Sequence, residues 1–105
     1  MALVTSGDEL RAPDATLAPG QIHDSSRFAL PALAAPLPVE VVSVRHADDS
    51  TQALTEAFAA ACEEADLIVS TGGVSVGDAD HVRAVLAAGG AIDFWRLALK
   101  PGRPF

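Results

Sequence analysis

The segment with the clearest chemical potential is residues 70–82, STGGVSVGDADHV, in which a glycine-rich stretch runs directly into acidic residues. Glycines lack side chains, so the backbone N–H groups of such a loop are free to point at phosphate oxygens. Asp78 and Asp80 stand beside that loop and would repel the same anion. The pattern therefore predicts an anionic ligand together with something that neutralises the acids.

The glycine pattern itself leaves two interpretations open. Gly72, Gly73 and Gly77 match neither the GxxxxGK[ST] nor the GxGxxG fingerprint, so a tight structural turn is an alternative to a phosphate loop. A loop between a buried strand and a helix start favours the phosphate loop, because the helix dipole adds to the free N–H groups. Three neighbouring hydroxyl groups can also donate hydrogen bonds to a ligand: Ser70, Thr71 and Ser75.

Further acids follow other predicted strands. Glu9 lies in TSGDEL and Asp49 in HADD. Either one alone is better explained as a solvated loop acid or a helix cap. Several carboxylates gathered at a phosphate loop repel one another unless a cation is present, and Mg²⁺ takes oxygen ligands from carboxylates and phosphates together. We therefore predict a magnesium site formed by Glu9, Asp49 and Asp80.

The basic residues concentrate near the end of the sequence. Arg96, Lys100 and Arg103 fall in the last ten positions, and the Pro-Gly pair at 101–102 predicts a turn that keeps two of them near each other. Such a group suits a small anion, although an ordinary charged edge of a sheet explains it equally well.

The first half of the chain predicts a strand, a loop and a helix. MALVTSGDEL begins with a short apolar run that ends in a turn, and residues 11–26 lack periodicity and predict a loop. The helix that follows can be capped by Asp24, Ser25 or Ser26 and has Pro31 near its start rather than its centre. Its apolar surface is Phe28, Leu30 and Leu33.

The second half alternates strands and helices. Residues 39–45 predict a strand and residues 51–64 a helix, whose apolar stripe is Leu54, Phe58, Ala61 and Ala65. Cys62 is expected on the buried side of that helix. DLIVST predicts a central strand. The helix that follows is expected to end at Gly89 and Gly90, and its core-facing residues are Ala79, Val82, Val85 and Leu86. AIDFWRLAL predicts a last strand.

This order predicts an α/β fold with three layers, α/β/α, and a mostly parallel sheet, in which ligands lie at the carboxyl ends of the strands. The length of 105 residues suits one domain. A formal charge of -7 argues against nucleic-acid and anionic-membrane binding. One cysteine and the absence of a spanning or leader segment in the sequence favour the cytoplasm.

With these residues in hand, the sequence resembles the molybdopterin molybdenumtransferase family, which includes the gephyrin E domain. Five motifs carry the resemblance in order across essentially the whole chain: TSGDEL, PGQIHDSS, HADD, STGGVSVGDADHV and FWRLALKPGRPF. The resemblance implies a molybdopterin-binding domain that takes part in molybdenum cofactor biosynthesis. The expected substrates are adenylated molybdopterin and molybdate, with Mg²⁺ as cofactor and AMP as a product.

The resemblance also implies roles for individual residues. Glu9, Asp49 and Asp80 match the functional acids of the family, and Lys100 in KPG matches a functional lysine. Arg96 stands where many members have lysine, which keeps the charge but changes the geometry. The expected catalytic residues are Glu9, Asp49, Asp80 and Lys100, and the expected ligand-binding residues are Ser70, Thr71, Gly72, Gly73, Ser75, Gly77, Arg96 and Arg103.

Family members are longer, with further domains and a cleft shared between two subunits. We therefore expect residues 1–105 to be a molybdopterin-binding domain truncated at its C-terminal end, inactive alone and part of a homodimer in the complete protein. Two alternatives remain: a molybdopterin adenylyltransferase of the same fold, and a non-catalytic domain that binds pterin or a protein partner.

Overall fold

The fold is built on a parallel sheet. The computed structural model describes residues 1–72 and 81–90 of the chain. In chain order the elements are β1 (Ala2–Ser6), β2 (Leu10–Arg11), β3 (Ile22–His23), α1 (Ser26–Ala34), β4 (Ser43–Ala47), α2 (Thr51–Glu64), β5 (Ile68–Thr71) and α3 (His81–Gly89). β4, β1 and β5 form a parallel sheet in that spatial order. The predicted α/β class with a mostly parallel sheet is confirmed.

β1 is the middle strand of the described sheet. All five of its residues are buried, which explains its continuous apolar run. Ala2 and Val4 pack against Ala61 of α2, whereas the Thr5 hydroxyl meets Asp24, just before α1. Because neighbouring side chains of a strand point to opposite faces, α2 and α1 cover opposite faces of the sheet. DLIVST, which was expected to be a central strand, contains β5 and pairs with β1 along one edge.

Helix α2 has the bounds that the sequence predicts. The Ser50 Oγ accepts a hydrogen bond of 3.1 Å from the Ala53 N–H and so caps the first turn. Leu54 and Phe58 are buried in one cluster with Val82 of α3. Cys62 is exposed, so its predicted packing role is wrong. The buried stripe is too narrow to include it, and its side chain lies on the side of α2 that faces α3.

The cap at Ser50 gives a test of how α2 is stabilised. Ser50→Ala removes the acceptor for the Ala53 N–H and is expected to lower the free energy of unfolding by about 1 kcal/mol. Ser25→Ala is the matched control, because Ser25 is the N-cap of α1 but makes no capping hydrogen bond through its side chain. Denaturant unfolding of both variants measures the difference, and equal losses would contradict the capping role of Ser50.

Helix α1 differs from its prediction in two respects. Pro31 lies inside the helix rather than near its start; proline lacks an N–H but keeps its carbonyl, which accepts from the Ala35 N–H at 3.0 Å at the end of the helix. Only Ala34 of this helix is buried, whereas Phe28 and Leu33 are exposed at 58% and 71%. The predicted apolar face of α1 is therefore largely uncovered within the described residues.

The remaining elements show smaller shifts. Residues 11–26 were expected to be a loop, but they contain β3, which pairs with β2 in parallel. β4 begins at Ser43 rather than at residue 39, because its pairing with β1 begins at Ala2. In α3, Val82 is buried but Leu86 is 38% exposed, contrary to its predicted core position. Ala79 and the predicted strand AIDFWRLAL lie outside the described residues.

Candidate functional site

The carboxyl ends of the three parallel strands meet at one edge of the sheet. In the register of the sheet, Ser6 of β1 pairs with Ala47 of β4, and Thr5 pairs with Thr71 of β5. The loops that begin at Gly7, Asp48 and Gly72 therefore leave the sheet side by side. The predicted gathering of these three loop starts at one edge is confirmed.

The loop after β1 holds Glu9 over the end of its own strand. Gly7 has a φ of 150°, and a Cβ placed on it would lie 2.6 Å from the Glu9 Oε2. The Glu9 carboxylate therefore occupies the space that any side chain at position 7 would need. It is also exposed to solvent, so its oxygens are accessible to a ligand or a cation.

A hydrogen bond joins the two acidic loops. The backbone N–H of Asp49 donates to the Asp8 Oδ1 at 2.9 Å. This contact connects TSGDEL with HADD although the two motifs are far apart in the sequence. Asp8 is thus a site residue that the sequence did not reveal, and its only signal was its position directly after Gly7, the residue that follows β1.

The glycine loop begins in close contact with β1. Gly72 has a φ of 92°, and a Cβ placed on it would lie 2.0 Å from the Ser6 carbonyl oxygen and 2.8 Å from the Ser6 Oγ. Only glycine fits this position without displacing the β1 backbone. Ser6 is 4% exposed, and its Oγ has no hydrogen-bond partner within the described residues.

The structure describes five of the predicted site residues at or next to this edge. Glu9 and Asp49 lie in exposed loops, while Ser70 and Thr71 are the half-buried last residues of β5 and Gly72 follows them. The other predicted site residues lie outside the described part of the chain: Gly73, Ser75, Gly77, Asp80, Arg96, Lys100 and Arg103.

The described acids suit a hard cation but do not form a complete site by themselves. Within residues 1–72 and 81–90, no three acidic, histidine or cysteine side chains come close enough to hold a metal ion. Glu9 and Asp49 offer carboxylate oxygens, which are the ligands that Mg²⁺ prefers, and neither carboxylate is engaged by another described side chain. Two exposed carboxylates from neighbouring loops are thus the donors that the described residues offer to a cation at this edge.

A cavity extends from this edge along the face of the sheet that α2 covers. Its volume is about 630 Å³, and it lies between α2 and α3. Ser70 and Thr51 give it polar lining, whereas Phe58, Ile68 and Val85 line it with apolar groups. The cavity thus combines hydroxyl groups with an apolar wall, as small-molecule sites commonly do.

No helix in the described part of the chain is long and apolar enough to cross a membrane. The parallel sheet, with acidic and glycine loops at one edge, defines an α/β domain of the kind that binds ligands beyond its strand ends. The chain belongs to the family described as "Probable molybdopterin binding domain", which it matches over residues 2–105.

Individual relatives agree with this assignment. The chain is 41% identical over 105 residues to a molybdopterin molybdenumtransferase of Haemophilus influenzae, covering 100% of this chain and 26% of that protein. It is 34% identical to the molybdenum cofactor synthesis protein cinnamon of Drosophila melanogaster, covering 99% and 18%. The crystal structure of the molybdopterin biosynthesis MoeA protein from Pyrococcus horikosii matches with a TM-score of 0.81 at 28% identity, covering 98% of this chain and 25% of that one. The chain thus spans about a quarter of the length of the bacterial transferase and of the MoeA protein.

Proposed function

We propose that this chain binds adenylated molybdopterin at the carboxyl edge of its sheet and takes part in inserting molybdenum into it. Molybdate is the proposed source of the metal, and AMP is released when the adenylate is cleaved. The proposal draws on relatives named molybdopterin molybdenumtransferase and on the matching motifs of this chain. The relatives named for this activity are longer than this chain. We propose that residues 1–105 supply the molybdopterin-binding domain of such a protein.

The observation that carries the proposal is the hydrogen bond from the Asp49 N–H to the Asp8 Oδ1. It holds two acidic loops together at the edge where the glycine loop also begins. A joined pair of acidic loops beside a backbone-lined loop suits a ligand that carries phosphate groups together with a divalent cation.

The residues suggest a division of roles. Glu9, Asp49 and Asp80 would hold Mg²⁺, which when bound neutralises charge on the adenylate phosphates. Gly72, with Gly73 and Gly77, would bring backbone N–H groups to those phosphates. The hydroxyls of Ser70, Thr71 and Ser75 would orient the ligand. Lys100, Arg96 and Arg103 would attract the anionic substrates, adenylated molybdopterin and molybdate.

The test is a titration of adenylated molybdopterin into the complete protein, followed by calorimetry with and without Mg²⁺. We expect saturable binding that weakens at least about tenfold when Mg²⁺ is removed. With molybdate added, the nucleotide product should be AMP. Equal affinity in both conditions would contradict the magnesium proposal. Pyrophosphate formation from ATP would identify an adenylyltransferase, and binding without turnover would identify a non-catalytic pterin-binding domain.

We further propose that the complete protein acts as a cytoplasmic homodimer. The support is a single cysteine, which needs no oxidising compartment, and the expectation from the family motifs of a cleft shared between subunits. Sedimentation of the complete protein tests the dimer: a monomer at micromolar concentration that retains full activity would contradict it.

A further inference from the structure

Asp24 is a buried carboxylate that the proposed chemistry does not use. It lies between β3 and α1 and is 3% exposed. Both of its oxygens have donors: the Thr5 Oγ1 donates to Oδ2 at 2.7 Å, and the Arg27 N–H donates to Oδ1 at 3.2 Å. Thr5 is 0% exposed in the middle strand of the sheet. Asp24 therefore ties the segment before α1 to the centre of the fold.

The same segment supports the loop that carries Glu9. The Asp24 N–H donates to the Arg11 carbonyl at 2.9 Å, and the Ile22 N–H donates to the Glu9 carbonyl at 2.9 Å. These bonds form the short β2–β3 pairing, whose strands have only two residues each. A two-stranded pairing of this size is marginal alone, so it needs an anchor elsewhere.

We propose that Asp24 is a positioning residue, which holds the Glu9 loop at the carboxyl edge of the sheet through β3 and β2. A carboxylate suits this role because it accepts hydrogen bonds from two different elements. An asparagine in its place carries no charge and has only one acceptor oxygen, so the hydrogen bonds from Thr5 and Arg27 lose the strength that the carboxylate gives them. The inference rests on the role proposed above for Glu9.

The first experiment measures the support itself, independently of activity. In Asp24→Asn, hydrogen exchange of peptides that contain Ile22 is expected to become about tenfold faster, because the Ile22 N–H then leaves the Glu9 carbonyl more often. Asp14→Asn, the same change at an exposed loop acid, should leave that exchange unaltered. Thr5→Val should act like Asp24→Asn, whereas Thr5→Ser keeps the hydroxyl and should restore protection. Unaltered exchange in both Asp24→Asn and Thr5→Val overturns the proposal.

The second experiment connects Asp24 with Glu9 through a double-mutant cycle in the complete protein. Asp24→Asn is expected to lower kcat for molybdenum insertion about tenfold in the parent background and to have almost no effect in Glu9→Gln. Equal proportional losses in both backgrounds would show a general structural role and overturn the proposal. Absence of Mg²⁺-dependent turnover in the unaltered protein would instead reject the proposed function, and hydrogen exchange would still decide whether Asp24 supports the loop.

Discussion

Replacing Gly72 with alanine is expected to lower the free energy of unfolding by about 2–4 kcal/mol and to weaken binding of adenylated molybdopterin. Two effects combine. A φ of 92° is unfavourable for a residue with a Cβ, and that Cβ would lie 2.0 Å from the Ser6 carbonyl oxygen. The clash is with backbone in the middle strand, so no flexible side chain can move aside. The loop can accept alanine only by moving away from β1.

Substitutions at two other glycines distinguish the cost of the positive φ from the cost of the clash with Ser6. Gly20 has a φ of 84° but open space around the Cβ position, so Gly20→Ala tests the strained conformation without a clash. Its expected cost is about 1 kcal/mol. Gly89 has neither feature and ends α3, so Gly89→Ala should leave stability unchanged or raise it slightly. Denaturant unfolding measures all three variants, and similar losses at Gly72 and Gly20 would show that close packing against Ser6 is unimportant.

Neutralising either described site acid is expected to reduce molybdenum insertion at least about 100-fold while leaving the fold intact. Glu9→Gln and Asp49→Asn each remove a charge from an exposed carboxylate, so little packing is lost. The Asp49 substitution also keeps the hydrogen bond to Asp8, because the backbone N–H is the donor. The Mg²⁺ concentration needed for half-maximal activity should rise about tenfold in each variant, as expected when a metal ligand is lost.

Glu63→Gln is the matched control for this prediction. Glu63 is exposed in the last turn of α2, so its substitution removes the same charge away from the carboxyl edge of the sheet. It should retain full activity and an unchanged Mg²⁺ requirement. Steady-state assays over a range of Mg²⁺ concentrations make the comparison. If all three variants lose activity equally, overall charge rather than metal binding explains the effect.

The sequence contains enough information for the elements whose signals are local. Ser50 at a cap position and apolar residues at helical spacing define α2 from Thr51 to Glu64, as predicted. The buried run of β1 was equally clear. Where the structure differs from these predictions, the cause is a contact between segments that are distant in the sequence. The pairing of β3 with β2 involves two residues on each strand, which is too short to produce a periodic pattern.

Which side chains of a helix are buried was harder to predict than where the helix begins and ends. Cys62 follows Ala61 in α2, yet Ala61 is fully buried and Cys62 is exposed. The difference depends on which neighbours the helix packs against, and its own sequence does not contain that information. Phe28 and Leu33 are large apolar residues of the kind found in protein cores, but both are exposed within the described structure.

The candidate site was predictable in outline because parallel strands align their carboxyl ends. Motifs that follow three strands had to begin at one edge, and the register places the starts of the loops at Gly7, Asp48 and Gly72 there. The sequence could not reveal the contacts between loops. Asp8 was missed because its partner is the backbone of a distant motif. Asp24 looked like a helix cap, and only the fold places the Thr5 hydroxyl against its second oxygen.

The position of β1 has a consequence for the order of events on the ribosome. This strand is synthesised before both of its neighbours, β4 and β5, which come from much later in the chain. Until Ile68–Thr71 has been synthesised, its two edges cannot both be paired. Non-local pairing of this kind slows folding. Between the synthesis of β1 and that of β5, this apolar strand therefore keeps an unpaired edge, and unpaired edges of this kind promote aggregation.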